Sequence, residues 1–155
     1  MTNTRARATI RPMTASDVPA IALLEEEIFS DPWPESLFHG EVRRASALTL
    51  VAETDGVLVG YAICGFVLDE AHVENIAVVD AWRGQGVAQS LFDALLATAR
   101  ARGARYLALE VRAENARAIR FYERNGFASV AVRRGYYRHP VEDAIVMLRR
   151  LDAGP

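Results

Sequence analysis

The chain has 155 residues, 51% of them hydrophobic and 25% charged, with a net charge of -2. That length suits one domain with a sizeable core, here residues 1–155 with the core over about 8–150, and the composition is that of an ordinary soluble globular protein. The charge balance gives no global attraction to nucleic acid, and the single cysteine, Cys64, excludes an internal disulfide and suits a reducing compartment.

Residues 1–10 are basic without an apolar stretch, so no secretory signal peptide is expected. The longest apolar run, residues 57–68, is too short for a bilayer and is interrupted by Gly60 and Gly65. No membrane association is expected. His39, His72 and His139 have no metal-ligand spacing, so no metal is expected. All 18 basic residues are arginine, which reads first as a coding bias and a solvated surface.

Residues 9–12 predict a first short strand. Thr14 and Asp17 form a helix-start pattern, and Val18, Ile21, Leu24 and Ile28 recur at helical spacing, with Glu25, Glu26 and Glu27 assigned mostly to the outer side. Asp31-Pro32-Trp33-Pro34 stops this helix, because the residue before a proline disfavours the α region. A second short helix follows to about Arg44, with Asp31 either its candidate cap or a charge that attracts an α-ammonium. Residues 48–53 and 57–67 read as strands joined by an Asp55-Gly56 hairpin turn, and residues 72–79 as a fourth strand. Residues 87–102 carry an amphipathic helix ended by Gly103. Residues 106–112 make another strand. Asn115 caps a helix that closes at Asn125-Gly126, and residues 127–133 and 143–150 make two final strands with a loop between them. The order β-α-α-β-β-β-α-β-α-β-β predicts an α/β or α+β domain, a mixed sheet with helices packed on it.

Between the fourth strand and the long helix stands Arg83-Gly84-Gln85-Gly86-Val87-Ala88. Two glycines allow a tight turn with no side chain between the backbone amides and a ligand. The helix that follows presents unpaired N–H groups and the positive end of its dipole, a ready seat for phosphate or pyrophosphate. The same turn also serves as a plain strand-to-helix connection.

The element order and this turn resemble the GNAT superfamily of acetyl-CoA-dependent N-acetyltransferases, whose signature is Arg/Gln-x-x-Gly-x-Gly/Ala. A second segment, Asn115 through Ala118 and Tyr122 to Gly126-Phe127, is similar to the family's N-x-x-A-x-x-x-Y-x-x-x-G-F helix. Leu109-Glu110-Val111-Arg112, Pro32-Trp33, and Arg133-Arg134-Gly135-Tyr136-Tyr137 followed by Glu142-Asp143-Ala144 and Met147 resemble the ribosomal-protein-alanine N-acetyltransferases within it. The resemblance implies a GNAT fold of about seven strands and four helices, with strands four and five splayed apart.

It also implies a site. Acetyl-CoA would lay its pyrophosphate on the amides from Gly84 to Gln89, in a segment that includes Arg83, Gln85, Gly86, Val87 and Ala88. Its pantetheine arm would follow the backbone of Ile76, Ala77 and Val78, with Asn115 also touching the cofactor. Glu110 would be the general base and Tyr122 the acid facing the CoA sulfur. Pro32, Trp33, Tyr136 and Tyr137 would wall the groove for the acceptor. Glu74, on the fourth strand, competes with Glu110 as the base. A strand glutamate paired with Arg112 or another arginine is the structural alternative for Glu110, and packing beside Ala118 and Ile119 is that for Tyr122.

Elementary acid–base chemistry bears on the acceptor. An α-amine with a pKa near 8 is about one-tenth neutral at pH 7, whereas a lysine amine near 10.4 is neutral in only about 0.04% of molecules. An α-amine therefore asks less of the base, and one carboxylate acting through water suffices. The expected activity is acetyl transfer to a protein N-terminal α-amine, with an N-terminal alanine of a small-subunit ribosomal protein as the acceptor, in the cytoplasm. The alternatives are lysine side chains, small-molecule amines, or a non-catalytic acyl-CoA-binding module.

Overall fold

The computed structural model describes residues 7–151. Residues 1–6 and 152–155 lie outside them, and with them the ends of the expected 1–155 domain and most of the segment read for a signal peptide. Seven strands, β1 (Thr9–Pro12), β2 (Ala47–Thr54), β3 (Val57–Val67), β4 (Glu70–Val78), β5 (Tyr106–Arg112), β6 (Ala128–Arg138) and β7 (Val141–Arg150), form one sheet in the order β1-β2-β3-β4-β5-β7-β6. Four helices, α1 (Val18–Ile28), α2 (Glu35–Arg43), α3 (Val87–Ala101) and α4 (Ala116–Arg124), cover it.

The two faces carry separate cores. Val51, Tyr61, Ile63 and Ala77 face α1 and α2, where they meet Ile21 and Phe38. Leu50, Ala52, Val73 and Leu109 face α3, where they meet Leu91 and Leu95. Because both faces of the central strands are covered, β2 and β3 are near-continuous apolar runs and not alternating ones. Asp55 and Gly56, at φ 49° and 78°, make the two-residue turn that joins these strands, as their sequence predicts. Cys64 is buried in the core, which pushes its thiol up to about 12, so it is packing and not a nucleophile.

Two features of β4 create the site. Ile63 pairs with Asn75 while Cys64 pairs with Val73, so Glu74 has no partner on β3 and bulges out. The extra residue reverses the alternation. Val73 joins the α3 side, whereas Asn75 and Ala77 face α1 and α2. β4 and β5 then pair only over Glu70↔Tyr106, Ala71↔Leu107 and His72↔Ala108. Beyond His72 the parallel strands separate, and the backbone of Ile76, Ala77 and Val78 has no strand partner on that side.

Three local expectations change. Glu25 is not on an outer face: it is 2% exposed and fully engaged by hydrogen bonds. Asp31 does not cap α2, whose first flanking residue is Pro34. Tyr136 and Tyr137 lie not in a loop but on β6, which runs on to Arg138 past irregular pairing between Arg133 and Tyr137.

Candidate active site

Two clefts open where β4 and β5 part. The first, about 840 Å³, runs between the end of β4, the turn before α3, and α4. Gly84 and Gly86 hold φ of 73° and 83°, a region that side-chain-bearing residues avoid. A Cβ at either would meet nothing within 4 Å, so the backbone there faces open space. Gly86 flanks α3, and the helix ladder begins with the bond from Ser90 N–H to Gly86 C=O. The N–H groups of Val87, Ala88 and Gln89 precede that ladder and are available to an anion. Arg83, Arg117 and Arg124 add positive charge to the lining.

Most of the residues expected to hold acetyl-CoA line this cleft: Ile76, Ala77, Val78, Arg83, Gly84, Gly86, Val87, Ala88, Gln89 and Asn115. Gln85 is not among the lining residues, and its side chain turns back to donate to Ala81 C=O at 3.3 Å. The Gln89 side chain is spent on structure, donating to Asp93 and exchanging hydrogen bonds with Asn125 of the α4 end. That contact ties α3 to α4. Asn115 caps α4 by accepting from Ala118 N–H at 3.2 Å and still lines the cleft. A free strand edge, bare glycine backbone, a helix N-terminus and arginines together fit a long anionic thioester such as acetyl-CoA.

The second cleft, about 530 Å³, is walled by Pro32, Trp33, Tyr136 and Tyr137 and carries Glu110 and Glu74. It meets the first at Phe29, Ile76, Asn115, Ala118 and Tyr122, which line both. A donor and an acceptor entering from opposite sides of the sheet would therefore meet beside Tyr122. Its ring packs edge-on against Phe121 and Phe127, and its hydroxyl has no hydrogen-bond partner among the described residues. Burial, reinforced by Tyr137, raises its pKa, so the hydroxyl keeps its proton and can serve as a hydrogen-bond donor.

Glu110 does not pair with Arg112. Its Oε2 sits 2.6 Å from His72 Nε2, and Oε1 is 3.9 Å from Arg133. Arg112 instead bonds Glu142 at 3.2 Å and covers the Tyr137 ring at 4.3 Å. Burial and Tyr136 push the Tyr137 hydroxyl up to about 12. Glu74, the competing base, is held by Arg44 at 3.3 Å, and its Oε2 is buried without a hydrogen-bond partner.

The Pro32-Trp33 side of the second cleft hangs on a residue missed in the sequence. Glu25 Oε1 accepts from Tyr61 Oη at 2.7 Å and Asn75 Nδ2 at 2.8 Å, and its Oε2 accepts from Trp33 N–H at 3.0 Å. It thus fastens the Pro32-Trp33 loop to the core and to β4. Ser30 Oγ donates to His139 C=O at 3.0 Å and links the same loop to the end of β6. His72 and Glu25 carried no signal in sequence: each is placed by a partner more than 30 positions away.

Replacing Tyr122 by Phe removes only the hydroxyl, so turnover should fall roughly tenfold or more while packing is retained. A melting scan beside a thiol-release assay checks this; a large drop in melting temperature would make Tyr122 a packing residue.

A model of the acetyltransferase (GNAT) family matches residues 17–127. The chain is 38% identical over 141 residues to a [ribosomal protein bS18]-alanine N-acetyltransferase of Salmonella typhimurium, covering 90% of this chain and 95% of that one. It is 37% identical over 147 residues to the N-alpha-acetyltransferase RimI of Mycobacterium tuberculosis, covering 91% of each. The crystal structure of the ribosomal-protein-S18-alanine N-acetyltransferase from Escherichia coli superposes with a TM-score of 0.87 at 35% identity, over 96% of both chains.

Proposed function

The chain belongs to the GNAT family of acetyltransferases and is an acetyl-CoA-dependent N-acetyltransferase, and from that premise we propose that its acceptor is a protein N-terminal α-amine, an N-terminal alanine of a small-subunit ribosomal protein. The observation that carries this reading is the acceptor cleft, walled by Pro32, Trp33, Tyr136 and Tyr137 and opening onto Glu110. Rigid proline and aromatic walls suit an extended peptide end at little cost in side-chain entropy. The likeness to ribosomal-protein-alanine acetyltransferases over nine-tenths of the chain supports the substrate class. Such an acceptor would place the enzyme in the cytoplasm. Among the described residues no helix is long and apolar enough to cross a membrane.

Acetyl-CoA supplies the activated acetyl group. The first cleft orients it through backbone amides and the free edge of β4, and the second orients the amine, so two reactants are held in one geometry. Glu110 receives the amine proton, directly or through water, with its Oε2 already engaged by His72. Tyr122 donates to the departing sulfur, a hydrogen bond that strengthens as negative charge develops there.

The test is a thiol-release assay with Ala-, Ser- and Met-starting peptides beside an N-terminally blocked peptide that keeps a lysine, with the acetyl group located by mass spectrometry. The Ala-starting peptide should react fastest, with label on its α-amine. Label on lysine, or reaction of the blocked peptide alone, would replace the N-terminal reading by lysine acetylation.

A further inference from the structure

His72 on β4 and Glu110 on β5 stand on the same face of the sheet, at the last rung before the two strands part. The strand neighbours of His72 are Gly65 on β3 and Ala108 on β5. Neither side chain fills the space beside the imidazole, so the ring can lean along the face to reach the carboxylate. The distance is 2.6 Å, with the His72 side chain 37% exposed and that of Glu110 15% exposed. An ionised carboxylate only accepts hydrogen bonds, so Nε2 carries the proton and donates to Oε2.

We propose that His72 is the positioning residue for Glu110: its Nε2–H fixes one carboxylate oxygen and leaves the other for the acceptor amine. This rests on the amine-transfer reading above. The Nε2–H bond, at 2.6 Å, holds Glu110 in one orientation beside the second cleft.

Other charges around the pair are accounted for. Arg133 on β6 is 3.9 Å from Glu110 Oε1 and well exposed, and Tyr137 on β6 interacts with Glu110. Arg44, at the end of α2, lies over Gly65 but is divided between Glu41 and Glu74. Arg112 is engaged by Glu142. His72 is the one group that donates to Glu110 at hydrogen-bond distance among the described residues.

The experiment compares kcat and KM of His72→Gln and His72→Leu with those of the wild type, using acetyl-CoA and an Ala-starting peptide. His72→Leu should lower kcat roughly tenfold with KM little changed, since a hydrogen bond to a charged group is lost. His72→Gln keeps a donor, so it should recover most of that loss. Unchanged kcat in both variants would overturn the proposal. A second readout needs no acceptor: ring ¹⁵N shifts of the free enzyme at high pH should show Nε2 as the protonated nitrogen of neutral His72. A ring protonated at Nδ1 would overturn it. Failure of the N-terminal reading looks different, because the wild type itself would then be inactive on the peptide while the ¹⁵N shifts still decide the His72–Glu110 bond.

Discussion

Glu110→Gln should lower kcat about 100- to 1,000-fold while acetyl-CoA affinity stays within about twofold. The substitution keeps the shape of the side chain and an oxygen that can accept from His72 Nε2, so β5 and its pairing with β7 are undisturbed. It removes only the capacity to take up a proton. The residual rate reflects positioning by the two clefts and the fraction of α-amine already neutral, which is why the loss is not larger. On the proposed reading acetyl-CoA binds in the other cleft, at the turn before α3 and the free edge of β4, which Glu110 does not line. Steady-state kinetics and calorimetric titration of CoA check both halves. Turnover close to wild type would move the base to Glu74 or to solvent, although Glu74 is already committed to Arg44.

Glu25→Leu is expected to be the most destabilising change in the site, by about 3–5 kcal/mol for three stranded neutral donors. A leucine of similar size leaves the Tyr61 hydroxyl, the Asn75 amide and the Trp33 N–H without their acceptor at a position 2% exposed. Each stranded donor costs about 1–3 kcal/mol, partly recovered where water reaches it. For a chain of this size that corresponds to a fall in melting temperature of roughly 10 °C. Because Trp33 loses its tether to the core, KM for the peptide should rise in the surviving folded fraction while acetyl-CoA affinity holds. Glu25→Gln should lie between, since the amide still accepts from Tyr61 or Asn75 but presents a donor to Trp33 N–H. A Leu variant that melts within about 2 °C of the wild type would remove Glu25 from this role.

The segments that sequence located best are those whose signal is local. The Asp55-Gly56 turn, the glycines before α3, the Asn115 cap and the apolar periodicity of α1 and α3 each depend on residues within a few positions of one another. The resemblance to the GNAT family rested on two such segments, and the seven-stranded sheet with parted β4 and β5 follows it. The extent of β6 was underestimated because Arg133-Arg134-Gly135 reads as a break, whereas the strand passes through it by bulging against β7.

What sequence determined by itself was therefore the order of elements, the glycine turn before α3 and the residue types available for acid–base chemistry. Tertiary structure decided which of those residues meet. A glutamate in a run of three became the buried anchor of the Pro32-Trp33 loop because Tyr61 and Asn75, from β3 and β4, converge on it. A histidine with no motif became the partner of Glu110 because parallel strands set His72 beside Ala108 for one final rung. The bulge at Glu74 turned Asn75 toward Glu25. Contacts of this kind join positions more than 30 residues apart, and no local pattern encodes them. They arise only when the sheet closes and packing selects which face each side chain occupies.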